Sequence, residues 1–436
     1  MPSPRLLRVL TALDALVDWE RRDRRGMHVG LAPMTDLMER LGEPQRRFRV
    51  VHVTGTKGKG TTAALVAEAL RRAGLRTGLY TSPHLHRVNE RVRIDGIEVG
   101  DEELAVALED AFRAREAAIL ESTAADEATW FDLVTAAAFL VFSRAECAWA
   151  VVEVGIGGRL DSTNVADGEV CVVTNIDLEH VQVLGPTHAA IAREKGGIVK
   201  RSSVLVTGVT GDPNSGPEAD AAPVLEGIAS ALGVRVVRPA RRAESLLDRN
   251  VDLARLVLDE LGRRGVRGSD QELLSGSALG ADAIGAARLA GRQELRRVGH
   301  TPVLLDGAHV ASSITAVLHE AAADPRLPRK KPVVVLALGR DKDAPAILKA
   351  LRDGVDRLLC TTAASGSLRA VETLVEESSR AGIGAETAAD PASALTRAIQ
   401  LAAAGETWVL VTGSFHLVGA VRLLLDAPST DTDPRC

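Results

Sequence analysis

Short runs of apolar residues alternate with stretches of helical spacing along most of the chain. The runs are rich in Val, Leu and Ile and show no polar alternation, which indicates strands buried on both faces. Strands of this kind, separated by helices, predict a doubly wound, mostly parallel α/β sheet. In the first half the predicted strands are 48–54, 76–81, 148–155, 169–176 and 203–209, and the predicted helices are 61–73, 102–118, 130–145 and 187–194.

A second pattern of the same kind follows residue 290. Between the two patterns lies a less regular segment, in which a polar Gly/Pro-rich loop at 211–222 and a helix at 250–262 are the clearest features. We therefore predict two domains, 1–290 and a smaller one at 291–436. The predicted strands of the second domain are 301–307, 331–339, 357–362 and 407–414, and its predicted helices are 311–323, 344–352 and 369–381.

Composition removes several classes of function. The net charge is −5 and aromatic residues make up 3%, so neither a basic field nor base-stacking platforms favour a nucleic-acid partner. No apolar run reaches the length of a membrane-spanning helix. The four cysteines are scattered without a CxxC pair, as is typical of the reducing cytoplasm. We expect a cytoplasmic protein whose partners are small molecules.

The sequence GTKGKGT (55–61) lies between a predicted strand and a predicted helix, where phosphate-binding loops occur. Its glycines allow backbone N–H groups to point at phosphate oxygens, and the helix N-terminus adds a positive dipole end. Lys59 can reach the outer phosphates and Thr61 can offer its hydroxyl to Mg²⁺, although an extra glycine separates the two. Lys57 is either a second phosphate contact or a solvated lysine. The predicted ATP contacts in this stretch are Gly55, Thr56, Lys57, Gly58, Lys59, Gly60, Thr61 and Thr62.

Together with this loop, a series of motifs resembles the folylpolyglutamate synthase/dihydrofolate synthase family of Mur-type ATP-dependent amide ligases. The motifs stand in the family's order across nearly the whole chain, and only 211–285 matches poorly. They are YTSPHLHRVNERVRIDG (80–96), EVGIGGRLDSTNV (153–165), HVQVLG (180–185), IAREKGGIVK (191–200), GRQE (291–294), DGAH (306–309) and VTGSFHLVGAVR (411–422).

The resemblance implies a P-loop sheet domain of the Mur-ligase central type and a Rossmann-like α/β C-terminal domain. It also implies ATP-dependent ligation of L-glutamate to a folate carboxylate through an acyl phosphate. The acceptor would be tetrahydrofolate, dihydropteroate or both, and the protein would be a monomer. Two alternatives stay open: a Mur-like amide ligase with another acceptor or amino acid, and a nucleotide-binding paralogue that has lost ligation.

A pair of Mg²⁺ ions belongs to the activity that the resemblance implies. Glu153 stands inside an apolar run, and a buried carboxylate is unfavourable unless it is paired or bound to metal. Lys195, in EKGGI, is similar to a family lysine that carries a carbamate, which would make it an anionic oxygen ligand. The simpler alternative is a helix-end lysine that complements the dipole. The implied metal ligands are Thr61, Ser82, Glu153, His180 and Lys195.

Three residues of the second domain are expected to reach ATP by the same resemblance. They are Arg292, Asp306 and His309, and an Asn near the adenine corresponds to Asn250. Arg292 offers a rigid cationic fork for the transferring phosphate, whereas Asp306 alone would be interpreted as a turn residue before a glycine. The implied catalytic residues are Lys59, His180, Lys195, Arg292, Asp306 and His309.

The folate side of the site corresponds to the loop 82–91 and to TWFD (129–132). Trp130 and Phe131 could stack on a pterin ring or could belong to the core, which is the commoner fate of such residues. Ser414 is expected on the glutamate side. The implied substrate contacts are Ser82, Pro83, His84, Arg91, Phe131, Asp132 and Ser414.

The chain departs from the family pattern at several positions. DGAHNP is DGAHVA here, with Val310 and Ala311, and the usual Asn of GTNGKG is Lys57. TFFE is TWFD, which shortens the acid at Asp132, and Ala290 replaces the Pro before GRQE. Together these changes allow a divergent enzyme with an altered acceptor or slow turnover.

Overall fold

The computed structural model describes residues 2–18, 30–211, 219–241, 243–363 and 368–427. The chain divides into two compact units, Met1–Arg288 and Leu289–Cys436. The sequence placed this division after residue 290. Each unit has its own sheet and its own hydrophobic core.

The first unit is built on an eight-stranded sheet with the order β4-β3-β2-β5-β1-β6-β7-β8. The pairs β2–β3 and β3–β4 are antiparallel, and all the others are parallel. The strands are β1 (Arg49–Thr54), β2 (Thr77–Tyr80), β3 (Val92–Ile94), β4 (Ile97–Glu98), β5 (Trp149–Glu153), β6 (Gly168–Val173), β7 (Val204–Thr207) and β8 (Val236–Val237).

Helices cover both faces of this sheet, as the doubly wound pattern requires. They are α1 (Pro4–Asp14), α2 (Ala32–Arg40), α3 (Lys59–Arg72), α4 (Asp101–Glu121), α5 (Trp130–Arg144), α6 (Val181–Leu184), α7 (His188–Gly196), α8 (Ala222–Leu232), α9 (Leu246–Arg263) and α10 (Ala281–Ala286). Every residue of β2, β5 and β7 is buried, which explains why these strands are continuous apolar runs in the sequence.

The register of the central strands brings three chain segments to one edge of the sheet. Val53 of β1 pairs with Glu153 of β5, and Thr54 pairs with Val173 of β6. Because parallel strands end at the same edge, the loops after β1, β5 and β6 lie side by side. These loops begin at residues 55, 154 and 174, and the first of them carries the predicted phosphate contacts.

The second unit has a six-stranded sheet with the order β13-β12-β11-β14-β10-β9, in which only β9 is antiparallel to its neighbour. Its strands are β9 (Glu294–Val298), β10 (Thr301–Leu305), β11 (Val333–Leu336), β12 (Arg357–Cys360), β13 (Ala385–Thr387) and β14 (Val409–Thr412). Its helices are α11 (Ala311–Ala323), α12 (Ala344–Arg352), α13 (Val371–Arg380), α14 (Pro391–Ala404) and α15 (Phe415–Asp426).

The predicted α/β class with two mostly parallel sheets is confirmed. The sequence missed β3 and the strands β4, β8, β9 and β13 at the sheet edges, because short or partly exposed strands lack a continuous apolar run. It also missed the helices α2, α6, α8, α10, α14 and α15. Within the described ranges, no helix is both long and apolar enough to cross a membrane.

Val310 occupies the N-cap position of α11 and offers no side-chain acceptor to the first turn. We predict that Val310→Asn raises the free energy of unfolding by about 1 kcal/mol, because an N-cap amide oxygen pairs with a free N–H of that turn. Thermal unfolding measures the change. Val310→Ala, which alters volume without supplying a cap, is the control, and equal stability of the two variants would contradict the prediction.

Candidate nucleotide and ligation site

The glycine-rich loop joins β1 to α3, as the sequence predicted. Gly58 has a positive φ of 80° and forms the N-cap of α3, and Gly55 has a φ of 145°. A Cβ on Gly58 would overlap Oδ1 of Asn250, and a Cβ on Gly55 would overlap Oγ1 of Thr174. Backbone conformation and close approach therefore both require glycine at these two positions.

The segment after β6 fixes the loop from one side. Thr174 Oγ1 and Asn175 Nδ2 both donate to the carbonyl oxygen of Lys57, at 2.6 and 3.1 Å. Lys57 N donates to Asn175 Oδ1 at 2.9 Å, and Thr56 N donates to Asn175 O at 3.1 Å. The backbone of the loop is thus held in shape by hydrogen bonds within the protein itself.

Two lysine ammonium groups share one carbonyl oxygen of the loop. Lys59 Nζ donates to Gly55 O at 2.9 Å, and Lys195 Nζ donates to the same oxygen at 2.8 Å. Lys195 belongs to α7 and is 1% exposed. Burial is the main cause that lowers its pKa to about 7, and the charge of Lys59 adds to the effect, while Glu179 opposes it.

Glu179 is a site residue that the sequence analysis missed. Its side chain is 14% exposed and lies 3.2 Å from His180 Nε2. Burial by itself raises its pKa, but the charges of Lys59 and Lys195 and the contact with His180 hold the pKa well below its usual range. The carboxylate therefore balances the two lysines. An acid next to a predicted ligand in a loop that follows a buried strand was the available signal.

Glu153 ends β5 and is 1% exposed. Its Oε2 accepts a hydrogen bond from Ser82 N at 3.0 Å, so these two predicted metal ligands lie together. The hydroxyl of Thr62, in the first turn of α3, is buried without a hydrogen-bond partner in the structure. A phosphate oxygen at this helix end would satisfy such a group.

A divalent cation at this site would need ligands besides the side chains of the protein. Among the described residues, no group of three or more His, Cys, Asp or Glu side chains could hold a metal by itself. The predicted ligands Thr61, Ser82 and Glu153 offer one carboxylate and two hydroxyl oxygens. Mg²⁺ bound to nucleotides typically takes one or two protein carboxylates together with phosphates and waters, so these residues fit an ion shared with ATP.

A cavity opens beside the loop, within the first unit. Asn250, on α9, is 3% exposed and both lines this cavity and contacts Gly58. The structure therefore connects the residue predicted near the adenine with the phosphate loop. The cavity is lined by Thr174, Asn175, Gly208, Thr210, Pro239, Arg241, Ala243, Leu246, Arg249, Asn250, Asp252 and Leu253.

The predicted folate loop is held by an aromatic and cationic stack. Arg91 is 1% exposed, donates from Nε to His84 Nδ1 at 2.8 Å, and lies 4.7 Å from the centre of the Trp130 ring. Trp130 is buried at 1% exposure and stacks on His84 at 6.3 Å. Phe131 is partly buried and lies 6.2 Å from Tyr80.

Asp132 makes hydrogen bonds within the protein, whereas Pro83 lies at the surface. Asp132 caps α5, because its Oδ2 accepts from Thr129 N and Oγ1 and its Oδ1 accepts from Ser162 Oγ. Pro83 is exposed and follows a cis peptide bond from Ser82. Substrate contact by either residue stays a prediction.

In the second unit, Arg292, Asp306 and His309 gather beside Phe415. The guanidinium of Arg292 lies 5.2 Å and the His309 ring 6.1 Å from the Phe415 ring centre. Asp306 accepts from the backbone N–H groups of Gln293 and Ala308. Burial raises its pKa to about 6, although those N–H groups and Arg292 act in the opposite direction.

Ser414 starts α15, where its hydroxyl accepts from His416 N at 3.2 Å. It directly precedes Phe415, so the predicted glutamate-side residue belongs to the same part of the second unit as the trio. Contact of any of these residues with ATP or glutamate stays a prediction.

Comparison with known proteins gives two family matches. The Mur ligase middle domain matches residues 53–214, and the Mur ligase glutamate ligase domain matches residues 291–415. The chain is 30% identical over 430 residues to the dihydrofolate synthase/folylpolyglutamate synthase of Escherichia coli, which covers 95% of this chain and 97% of that protein. The chain belongs to the dihydrofolate synthase/folylpolyglutamate synthase family.

Other members of this synthase family match over shorter or longer parts of the chain. The Bacillus subtilis relative is 40% identical over 186 residues, so that the alignment spans 42% of this chain and 43% of that protein. A structure of the Mycobacterium tuberculosis folylpolyglutamate synthase complexed with ADP and AMPPCP aligns with a TM-score of 0.81 and 29% identity over 97% of this chain and 99% of that chain.

A structure of a bifunctional member with Mn, AMPPNP and L-glutamate bound aligns with a TM-score of 0.78 and 26% identity over 98% of both chains. Members of the synthase family are ATP-dependent ligases that join glutamate to folates. The family, the fold and the ligase class that the motifs predicted are therefore confirmed.

Gly58 gives a direct test of the loop. We predict that Gly58→Ala weakens ATP binding and destabilises the fold by about 1–2 kcal/mol, because a Cβ meets Asn250 and a positive φ is strained for alanine. Nucleotide titration and thermal unfolding measure the two effects. Gly227→Ala is the matched control, because Gly227 lies in α8 with open space around it. Unchanged ATP affinity in Gly58→Ala would contradict the assignment.

Proposed function

We propose that this chain joins L-glutamate to a carboxyl group of a folate and converts ATP to ADP and phosphate. The observation that carries the proposal is the convergence of Lys59 and Lys195 on the carbonyl of Gly55, inside a glycine-rich loop and beside Glu179. The ammonium of Lys59 suits a polyphosphate, and the buried amine of Lys195 lies against the same carbonyl. The family membership and the relatives' bound ligands support the same reaction.

The chemistry has two steps. A carboxylate oxygen of the folate attacks the γ-phosphorus of ATP, ADP leaves, and an acyl phosphate forms. The amine of glutamate then attacks the acyl carbon, phosphate leaves, and the amine gives up a proton. Such transfers depend on holding phosphate in line, neutralising developing charge and placing the amine close to the carbonyl.

The first unit supplies the phosphate end of this reaction. Backbone N–H groups at the start of α3 and the ammonium of Lys59 bind the outer phosphates, and the buried hydroxyl of Thr62 receives a partner there. Arg292 of the second unit is the residue proposed to act on the transferring phosphoryl group, with Asp306 and His309 in the same part of that unit. Asn250 and the cavity next to the loop receive the adenine end.

Mg²⁺ is the proposed metal, and bound Mg²⁺ supplies charge neutralisation on the phosphates. Thr61, Ser82, Glu153 and His180 would hold it. The backbone N–H of Ser82 orients the Glu153 carboxylate, and Glu179 orients the imidazole of His180. Hydrogen-bonded neighbours of this kind typically fix the direction of a metal ligand.

Lys195 is the proposed site of a carbamate. A neutral amine adds CO₂ and releases a proton, which turns a cation into an oxygen anion that suits a second Mg²⁺ near the transferred phosphate. Its buried position and its pKa of about 7 give a substantial neutral fraction near neutral pH. An ordinary lysine at a helix end would stay charged.

The acceptor occupies the surface of the loop 82–91, with His84 and Phe131 as its contacts, while the buried Arg91 holds His84 in place. The ligase works as a monomer in the cytoplasm, and the buried thiols Cys147, Cys171 and Cys360 suit a reducing compartment. A ligase with a different acceptor is the alternative that Asp132 and Val310 motivate, but the relatives do not favour it.

Phosphate release from ATP tests the proposed reaction. With Mg²⁺ and glutamate present, we expect release to depend on an acceptor, and the product to gain the mass of one glutamyl unit. Release with tetrahydrofolate and dihydropteroate would assign both activities, and release with one would name it. A folded protein that binds ATP and stays inactive with both acceptors would contradict the proposed substrate class.

The pH dependence tests the role of Lys195. Because the neutral fraction of a lysine with a pKa of about 7 grows as the pH rises, we predict that ligation increases between about pH 6 and pH 8. Lys195→Met should keep most ATP affinity and lose ligation. With ¹³C-bicarbonate, a carbamate carbon signal should appear in the wild type and in the control Lys349→Met, which changes an exposed lysine of α12.

Persistence of that carbon signal in Lys195→Met would place the modification elsewhere. Full ligation by the variant would exclude a catalytic role for Lys195.

A further inference from the structure

Lys57 is held by a carboxylate outside the glycine-rich loop. Its Nζ lies 3.2 Å from Asp177 Oδ2, and the side chains are 17% and 36% exposed. The sequence left open whether Lys57 contacts phosphate or is merely solvated. A mostly covered ammonium with a carboxylate partner is not a solvated surface lysine.

Asp177 is itself firmly placed. Its backbone N donates to Thr56 Oγ1 at 3.1 Å, and that hydroxyl donates back to Asp177 O at 3.3 Å. Its Oδ1 accepts from Leu178 N at 2.8 Å and lies 3.9 Å from His188 Nε2, at the start of α7. The carboxylate therefore stands at a fixed position between the phosphate loop and the helix that carries Lys195.

The two lysines of the loop differ in what holds them. Lys59 Nζ donates to the carbonyls of Gly55 and Thr56 and stays inside the curve of the loop. Lys57 has a backbone fixed by Asn175 at both N and O, but its ammonium is drawn outward to one carboxylate oxygen. A long side chain on a fixed backbone can exchange that single partner by rotation about its own bonds.

We propose that Lys57 is a second cation for the polyphosphate and that Asp177 competes with the polyphosphate for its ammonium. Asp177 holds the ammonium beside the loop and releases it when a polyphosphate binds. A partly exposed ion pair contributes at most about 1 kcal/mol, and a polyphosphate carries more negative charge than one carboxylate, so the exchange is favourable. This inference rests on the proposed binding of ATP at residues 55–62.

The proposed competition predicts that removal of the Asp177 carboxylate strengthens nucleotide binding. Because Asp177 competes with phosphate for Lys57, Asp177→Asn should strengthen the binding of MgATP and MgADP by about two- to fivefold. Lys57→Met should weaken both by a similar factor, with little effect on AMP. In the double variant the effect of Asp177→Asn should disappear, because there is no ammonium left to release. Calorimetric titration gives all the dissociation constants.

A second lysine ion pair provides the matched control. Lys330 Nζ lies 3.2 Å from Glu406 Oε2 on the surface of the second unit, the same distance as in the Lys57 pair. Lys330→Met and Glu406→Gln should leave nucleotide affinity unchanged. Thermal unfolding of every variant reports on folding, and Asp177→Ser replaces Asp177→Asn if the latter does not fold.

A merely structural pair would give a different result. Asp177→Asn would then weaken ATP binding or leave it unchanged, and either outcome overturns the inference, as does unchanged ATP affinity in Lys57→Met. Wild type and Lys59→Ala are titrated alongside. If the wild type does not bind ATP, or if Lys59→Ala binds it equally well, the proposed nucleotide site fails too. If Lys59→Ala weakens ATP binding but the Lys57 and Asp177 variants do not show the expected changes in affinity, only this inference fails and the proposed function stands.

Discussion

One carbonyl oxygen, that of Gly55, receives two lysine ammonium groups, and much of the first unit is arranged around that contact. Burial lowers the pKa of Lys195, the like charge of Lys59 adds to this effect, and the two lysines keep Glu179 ionised. Gly55 adopts a φ that other residues rarely take, and a Cβ there would overlap Thr174. The loop and the helix α7 are thus linked through a single backbone atom, whereas the segment after β6 bonds to the loop at Thr56 and Lys57.

A series of buried hydrogen bonds also supports the region around the glycine-rich loop. His52 on β1 contacts Thr163 Oγ1 at 2.9 Å, and that hydroxyl donates to Asp161. Burial lowers the pKa of His52 to about 3, so the imidazole is neutral and its Nε2–H is the donor to Thr163. Asp161 accepts from Ile156 N and fixes the loop that follows Glu153. The chain of contacts therefore keeps the loop after β5 beside the loop after β1.

The sequence alone predicted those site residues that stand at the end of a strand or directly after it. Glycines 55 and 58, Lys59 and the buried acid Glu153 stand directly after or at the end of apolar runs, and the structure has them at strand ends. Asp177 could not be found in this way, because its partner Lys57 lies 120 residues earlier and meets it only through the β1–β6 register. For Lys57, only the fold distinguishes a solvated lysine from one with a carboxylate partner.

The contact between Gly58 and Asn250 has a consequence for how the site can change. Asn250 lies on α9, within the segment whose motifs match the family poorly, yet it touches the phosphate loop. The other residues of α9 that line the cavity are Leu246, Arg249, Asp252 and Leu253. The cavity proposed for the adenine is therefore lined by residues outside the stretch 55–62. Substitutions along α9 other than at Asn250 can reshape this cavity without replacing Lys59, Lys195 or Glu179.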